Sequence, residues 1–173
     1  GHASGIHYSV LAKAGFIEES DLDDYRKINS KRFLSGHCHP KTPGVEIASG
    51  SLGQGLSVAH GISLGTRLQE LDSKTYVILG DGELQEGQVW EAAMYAASNS
   101  LDNLCLIVDL NQLQVEGHTQ EVMVMDPIDK KFQAFGWAVK NVDGHDFGAL
   151  SAAFNQARSN RNVPTVILAH TIV

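Results

Sequence analysis

The hydrophobic residues of this chain fall into short continuous runs, separated by longer segments with helical spacing. The continuous runs occupy residues 76–79, 104–110, 137–142 and 165–169. Runs of this length that are mainly apolar, rather than alternating, are typical of strands in a parallel sheet that is covered on both faces. The segments with helical spacing occupy residues 52–71, 83–98, 126–135 and 147–159. The chain therefore alternates between predicted strands and predicted helices.

This alternation predicts the fold class. A β-α-β-α-β-α-β order forms right-handed crossovers, and the crossover helices then cover both faces of the sheet. We therefore expect an α/β fold with three layers, α/β/α, and a mainly parallel sheet. Ahead of the first strand, residues 3–28 are predicted to form one or two helices, with Ser20 as an N-cap before Asp21.

Length and charge narrow the class of protein. With 173 residues, 43% of them hydrophobic and 19% charged, the chain suits one globular domain over residues 1–173. Its net charge of −7 argues against a general nucleic-acid surface. The sequence contains no run of about 18 apolar residues, so no membrane span is predicted. The chain opens at Gly1 without a methionine and closes within an apolar run, so we expect a truncated part of a longer protein.

The two cysteines, Cys38 and Cys105, show neither CxxC spacing nor a pairing pattern. We therefore expect two free thiols and a reducing, cytoplasmic compartment. Cys105 lies inside an apolar run and is predicted to be a core residue.

Candidate chemistry lies where the predicted strands end. In open α/β sheets, ligands bind beyond the carboxyl ends of the strands. Three such ends carry polar residues, at positions 80–82, 109–111 and 143–146. We interpret the third, Asp143-Gly144-His145-Asp146, mainly as a structural turn that caps the following helix.

The first of these ends, Gly80-Asp81-Gly82, admits two interpretations. One is a tight turn in which Asp81 caps the next helix. The other is a metal site shared with Asn111, which follows the neighbouring strand after one crossover. A carboxylate, an amide oxygen and a loop carbonyl form the oxygen-only set that Mg²⁺ prefers. The flanking glycines would let a phosphate approach the backbone closely.

A second glycine-rich segment, Gly50-Ser51-Leu52-Gly53-Gln54-Gly55, precedes a predicted helix. It is either a flexible turn or an anion site, because a helix N-terminus offers N–H donors and the positive end of a dipole. The segment lacks the Lys-Ser/Thr ending of a P-loop and the glycine spacing of a dinucleotide fingerprint.

The histidines divide into two groups. His37 stands beside Cys38 and His39, but this spacing is too tight for an ordinary zinc site, and no second Cys/His pair follows. An imidazole can instead donate to a developing oxyanion or move a proton near neutral pH. No motif surrounds three other histidines, which we expect to be surface or core residues: His60, His118 and His170.

Taken in order, these motifs resemble the N-terminal domain of transketolase. The matching segments are Gly1-His2-Ala3, Pro43-Gly44-Val45-Glu46, residues 50–55, residues 80–87 and the strand that leads into Asn111. The chain departs from the family pattern at Ser51, where Pro is expected, at Cys38, which follows His37 in place of Pro, and at Gln112. The segment over residues 40–55 is similar to transketolases whose diphosphate and pyrimidine domains lie on separate polypeptides.

The resemblance implies two cofactors, thiamine diphosphate (ThDP) and Mg²⁺, and a role for each matching residue. The implied metal ligands are Asp81, the Asn111 side chain and the carbonyl of Leu113. The implied cofactor contacts are Gly50, Leu52, Gly80, Asp81, Gly82 and Asn111. The implied catalytic residues are His2 and His37, which would line the substrate channel, and Glu86, which would join an acidic path at a subunit interface.

The resemblance also implies a partner. In the family, a glutamate of the pyrimidine-binding domain activates the cofactor, so we expect that domain on another chain or segment. Together the two would transfer a two-carbon ketol unit between sugar phosphates in the pentose phosphate pathway, as a homo- or hetero-oligomer. Two alternatives stay open. One is a non-catalytic fragment that only binds Mg–ThDP or a partner. The other is part of another ThDP enzyme, such as deoxyxylulose-phosphate synthase or an oxo-acid dehydrogenase.

Overall fold

The chain before the glycine-rich segment is mostly helix and turn. In the computed structural model, which describes residues 3–172, helix α1 spans Ser4–Lys13 and a 3₁₀ turn spans Glu19–Asp24. The N-cap of that turn is Glu18, whose N–H donates to Asp21 Oδ2 at 3.0 Å. The predicted N-cap at Ser20 is therefore wrong, because the carboxylate of Asp21 reaches back and fixes an earlier start.

The chain divides into two compact units, Gly1–Leu52 and Gly53–Val173. The first unit has its own apolar cluster, in which α1 packs against the loops that follow it. Its fully buried members include Tyr8 and Leu34, both 0% exposed. The second unit likewise has a core of its own. The prediction of a single domain over residues 1–173 stays a prediction.

The second unit contains the alternating elements that the sequence predicts. Its helices are α2 (Gly55–Leu68), α3 (Gly87–Ser98), α4 (Thr119–Val122), α5 (Ile128–Phe135) and α6 (Phe147–Ser159). Its strands are β1 (Thr75–Gly80), β2 (Leu104–Leu110), β3 (Leu113–Gln114), β4 (Gly117–His118), β5 (Ala138–Asp143) and β6 (Thr165–His170).

Four of these strands form a parallel sheet in the order β1-β2-β6-β5. The register pairs Gly80 with Asp109, and Asp143 with His170. All four carboxyl ends therefore lie at one edge of the sheet. The α/β class and the parallel sheet are confirmed.

The two faces of this sheet bury different side chains. Alternate β2 residues such as Leu106 and Val108 join the large core formed with α2, α3 and α5. The intervening residues, Cys105 and Ile107, pack with Ala153 and other residues of α6. The three predicted layers are thus present, and Cys105 is a core residue as expected.

Two local features differ from the prediction. The helix expected over residues 83–98 is interrupted, because Gly82–Gln85 forms a 3₁₀ turn and α3 begins at Gly87 after an extended residue, Glu86. In addition, β3 and β4 form a small antiparallel hairpin that the sequence did not predict. Within residues 3–172, no helix is long and apolar enough to cross a membrane.

Candidate functional site

Asp81 occupies the turn that links β1 to the following 3₁₀ turn. Its side chain is only 4% exposed. Oδ1 accepts a hydrogen bond from Gly82 N at 2.7 Å, and Oδ2 accepts one from Gln112 N at 2.6 Å. The second bond ties the end of β1 to the loop after β2, so the two strand ends that the sequence singled out do meet.

Burial has the largest effect on the pKa of the Asp81 carboxyl, and hydrogen bonds from two backbone N–H groups oppose it. Burial raises the pKa of the Asp81 carboxyl, and the negative charge of Asp109 raises it further. The N–H groups of Gln112 and Gly82 lower the same pKa and so offset part of the effect. A buried carboxylate beside a second carboxylate is a favourable place for a cation.

Asn111 follows β2 and is held at both ends of its amide. Its Nδ2 donates to Asp109 Oδ2 at 3.2 Å, and its Oδ1 accepts from Leu113 N at 2.8 Å. The amide oxygen therefore lies on the same side as the backbone of Leu113, the residue that the family resemblance offers as a carbonyl ligand.

Gln112 links the two halves of this arrangement through an unusual backbone conformation. Its φ of 63° lies in the left-handed region, which glycine adopts more readily than other residues. This conformation lets Gln112 N turn back to Asp81 while Leu113 enters β3. A glycine would adopt this backbone conformation at less steric cost than Gln112 does.

The glycines around Asp81 differ in the space they leave. A Cβ added to Gly80 would meet no atom within 4 Å, whereas one added to Gly82 would lie 2.9 Å from the Cβ of Gln114. The backbone at Gly80 is therefore open to an approaching ligand. Gly82 is needed instead for close packing against the β3–β4 hairpin.

Glu83 is a member of the site that sequence reasoning missed. Its Oε1 accepts from Gly53 N at 2.8 Å, and its Oε2 accepts from Gly80 N at 3.3 Å. One carboxylate thus joins the glycine-rich segment to the end of β1. Its position directly after Gly80-Asp81-Gly82 was the available signal, but only the fold shows that it reaches back to Gly53.

A cavity of about 160 Å³ opens beside Asp81. Its polar lining consists of Asp81, Gln112, Thr119, Gln120, Asp126 and His170. His170 ends β6 and lies within 3.1 Å of Asn141 Oδ1 through Nε2. No motif in the sequence marks His170. It lies at this edge because the parallel register pairs it with Leu110 at the end of β2 and with Asp143 at the end of β5.

In the first unit, His37 and Gly50 lie against each other. Gly50 has a φ of 118°, and a Cβ added to it would stand 2.9 Å from Cγ of His37. The His37 carbonyl accepts a bond from the Tyr8 hydroxyl at 3.2 Å, which anchors this backbone to α1. The imidazole of His37 thus packs on the glycine, while Leu52 is half-buried at the end of the unit.

The other singled-out residues have varied settings. Glu86 is exposed and is the N-cap of α3. His2 lies outside the described residues. His60 is buried against the Tyr95 ring with centroids 4.5 Å apart, and burial lowers its pKa, so it is a core residue. Asp146 caps α6, as the sequence predicted, by accepting from Gly148 N and Ala149 N.

The donor chemistry around Asp81 fits a hard cation. Within residues 3–172, no group of three or more His, Cys, Asp and Glu side chains could hold a metal ion, which leaves no support for a site at His37, Cys38 and His39. The set at the sheet edge is instead a buried carboxylate with amide and backbone oxygens nearby. Mg²⁺ is bound by such oxygen sets, completed by water and phosphate oxygens.

Comparisons with known proteins agree with this arrangement. The family model described as transketolase, thiamine diphosphate binding domain, matches residues 1–173. The chain is 39% identical over 173 residues to the 6-deoxy-6-sulfo-D-fructose transketolase subunit SqwG of Clostridium sp. (strain MSTE9), covering 99% of this chain and 62% of that protein. It is 43% identical over 172 residues to an apulose-4-phosphate transketolase subunit of Actinobacillus succinogenes, covering 99% of this chain and 61% of that protein.

Solved structures show the same fold. The crystal structure of transketolase from Campylobacter jejuni matches with a TM-score of 0.92 and 35% identity, covering 99% of this chain and 28% of that one. Transketolase from Pichia stipitis in complex with sedoheptulose-7-phosphate matches with a TM-score of 0.91 and 32% identity, covering 99% of this chain and 27% of that one.

The fold and the family match together define a ThDP-binding domain of the α/β class. The chain belongs to the transketolase family, as its thiamine diphosphate binding domain. It spans 62% and 61% of the length of the two bacterial subunits named above.

Proposed function

We propose that this chain is the diphosphate- and Mg²⁺-binding part of a transketolase, which transfers a two-carbon ketol unit between sugar phosphates. The observation that carries the proposal is the buried carboxylate of Asp81, 4% exposed, bonded at 2.6 Å to the loop that presents Asn111. The relatives named above include two transketolase subunits and a transketolase bound to a sugar phosphate.

The residues at the sheet edge would bind the cofactor through its metal and its diphosphate. Asp81, the Asn111 oxygen and the Leu113 carbonyl would hold Mg²⁺, whose positive charge would favour binding of the diphosphate. The open backbone of Gly80 would let the diphosphate approach closely, with Gly82, Gly50 and Leu52 as further proposed contacts. When bound, ThDP supplies the nucleophilic carbon and the electron sink for the transfer.

The imidazole of His37 would act on the substrate. An imidazole can donate to the oxygen of a ketose carbonyl and stabilise charge as it develops there. The contact with Gly50 fixes the position of the ring from one side. We propose the same kind of role for His2, and we propose that Glu86, exposed at the start of α3, faces a neighbouring subunit.

The proposal includes a partner. A pyrimidine-binding domain or subunit would supply the group that activates the cofactor, and the two would assemble as a homo- or hetero-oligomer. The lengths of the relatives support this, because the chain covers only 27% of Homo sapiens transketolase. The two free, buried cysteines support a reducing, cytoplasmic setting. Membership of the transketolase family is the support for a place in the pentose phosphate pathway.

Mixing experiments test the function. The chain would be combined with ThDP, Mg²⁺ and a candidate pyrimidine-binding subunit, and ketol transfer from xylulose 5-phosphate to an aldose phosphate would be measured. Two further donors, 6-deoxy-6-sulfo-D-fructose and apulose 4-phosphate, follow from the names of the relatives. Activity only in the mixture is the expected result. Turnover of pyruvate would favour another ThDP enzyme, and binding of ThDP without transfer would favour the non-catalytic alternative.

A further inference from the structure

The amide of Asn111 has two chemically different ends, and only one can bind a metal. The oxygen carries lone pairs, whereas the nitrogen carries two hydrogens and offers none. The amide group can rotate by half a turn with little change in shape. A metal site that uses Asn111 therefore requires something to keep the oxygen on the metal side.

Asp109 provides that constraint on one side of the amide. Its Oδ2 accepts from Asn111 Nδ2 at 3.2 Å. An ionised carboxylate can only accept hydrogen bonds, so it favours the nitrogen end and repels the oxygen end. On the other side, Leu113 N donates to Asn111 Oδ1 at 2.8 Å, and an N–H can only donate. A rotated amide would lose both hydrogen bonds. It would also place its oxygen against the Asp109 carboxylate, acceptor against acceptor, and its nitrogen against Leu113 N, donor against donor.

Asp109 is itself held by the end of the next strand. The hydroxyl of Thr171, just after β6, donates to Asp109 Oδ1. Thr171 N also donates to Leu110 O at 3.2 Å, which fixes the backbone of Thr171 against β2. One carboxylate oxygen is thus used by Thr171 and the other by Asn111, so the carboxylate has a defined orientation.

A third strand end supports Thr171. A Cβ added to Gly144, just after β5, would overlap Cγ2 of Thr171 and would lie 2.9 Å from the carbonyl oxygen of His170. Gly144 N also donates to that carbonyl at 2.7 Å. The turn after β5, which looks purely structural in the sequence, therefore packs against the residue that orients Asp109.

We infer that Asp109 is a positioning residue that keeps the Asn111 oxygen facing the metal, with Thr171 holding Asp109. The inference rests on the proposed function, since it presumes that Asn111 binds Mg²⁺. It assigns to Asp109 no contact with the metal. Such outer partners of metal ligands are worth about tenfold to a hundredfold in metal affinity.

A double-mutant cycle tests the inference on the intact protein. The measured quantity is the Mg²⁺ concentration that half-saturates ThDP binding, followed by calorimetry or by tryptophan fluorescence. With Asn111 present, Asp109→Asn should raise that concentration about tenfold. With Asn111→Asp, both ends of the side chain are oxygens and orientation no longer matters. Asp109→Asn should then cost nothing, or even tighten binding by removing a like charge.

A second pair of variants guards against loss of folding in the first. Thr171→Val removes the hydroxyl that holds Asp109, whereas Thr171→Ser keeps it. We expect weaker Mg²⁺ binding only in the valine variant. Unfolding midpoints measured without metal check that both variants fold.

Equal losses from Asp109→Asn in both backgrounds would overturn the orienting role. So would a Mg²⁺ response that disappears in Asn111→Ala but is indifferent to Asp109→Asn and to Thr171→Val. ThDP binding by the unaltered protein that does not respond to Mg²⁺ at all would instead overturn the metal site of the proposed function, and this inference with it.

Discussion

Two turns of this protein use the same residue types at the same edge of one sheet, yet their environments differ. The turn after β1 contains Gly80-Asp81-Gly82, and the turn after β5 contains Asp143-Gly144-His145-Asp146. Asp81 is 4% exposed and is bonded to the loop that follows β2. Asp146 is exposed, and its side chain accepts from its own helix, at Gly148 N and Ala149 N.

The difference lies in what the neighbouring strand brings. Beyond β1, the end of β2 brings Asp109 and Asn111, so a buried carboxylate meets further oxygens. Beyond β5, the end of β6 brings no carboxylate or amide side chain, and its His170 carbonyl accepts a hydrogen bond from Gly144 N at 2.7 Å. An Asp-Gly turn after a parallel strand is therefore a candidate ligand site only when its sheet neighbour also ends in oxygen ligands.

The largest expected contrast is in cofactor binding. Asp81→Ala should weaken Mg²⁺-dependent ThDP binding by roughly 100-fold, about 2.7 kcal/mol, because it removes the buried carboxylate of the proposed metal site. Asp146→Ala, which alters the corresponding turn, should leave that affinity unchanged. Calorimetric titration of each variant with ThDP at saturating Mg²⁺ measures both. Equal affinities for the two variants would remove the distinction between the turns.

Substitution of one glycine in each turn should have different effects: on stability at Gly144, after β5, and on cofactor binding at Gly80, after β1. Gly144→Ala should destabilise the fold by about 1–3 kcal/mol, because its methyl group would overlap Thr171 and the carbonyl of His170. Gly80→Ala should fold almost normally, since no atom lies within 4 Å of an added Cβ.

Urea unfolding without cofactor tests the stability of both glycine variants, and a ThDP titration tests Gly80→Ala. Its methyl group would occupy the space proposed for the diphosphate, so its affinity should fall. A Gly80→Ala protein that binds ThDP normally would contradict an approach of the diphosphate at this position.

Much of the fold could be predicted because it depends on local pattern. The four apolar runs became the four strands of the sheet, and helix α6 occupies Phe147–Ser159 as its spacing predicted. The parallel order also placed Asp81 and Asn111 at one edge, since successive β-α-β units align their carboxyl ends. These inferences needed only periodicity and handedness.

The remaining site residues depend on contacts that no local pattern encodes. Glu83 looks in the sequence like one more acid after a turn, and only the fold brings it within 2.8 Å of Gly53 N. His170 lacks any motif and joins the cavity because β6 lies beside β2. The failed N-cap at Ser20 has a similar cause, because the competing carboxylate of Asp21 captured an earlier N–H.

The helix cap in the second turn should produce a smaller effect. Asp146→Ala should destabilise the protein by about 1 kcal/mol, because two N–H groups at the start of α6 would lose their acceptor. Asp146→Ser should retain most of that stability, since serine is also a good N-cap. Urea unfolding followed by circular dichroism measures both variants. A loss in Asp146→Ser as large as that in Asp146→Ala would show that the charge, and not the cap, matters.

The smallest effect should appear when Asp81 is made neutral in the absence of metal. The pKa of Asp81 in the folded protein lies above its ordinary value of 3.8, chiefly because of burial. As the pH rises from the pKa of Asp81 in the unfolded chain to its higher pKa in the folded protein, the unfolded chain loses its proton first. Ionisation of Asp81 therefore lowers the stability of the fold, and it continues to do so at neutral pH. Asp81→Asn removes this ionisation and keeps the shape of the side chain, but its amide nitrogen cannot accept the N–H that one carboxylate oxygen accepts. The comparison is therefore made between pH values, since that lost bond is the same at each.

Without Mg²⁺, the stability of the unaltered protein relative to Asp81→Asn should therefore fall as the pH rises from about 3, where the carboxyl is protonated in both states, to about 7. Saturating Mg²⁺ and ThDP at pH about 7 should shift the comparison back towards the unaltered protein, because only the carboxylate gains from the metal. Urea unfolding under these three conditions measures the difference. A relative stability that stays the same at both pH values would mean that the bonds from Gln112 N and Gly82 N offset burial, which would make the first turn as structural as the second.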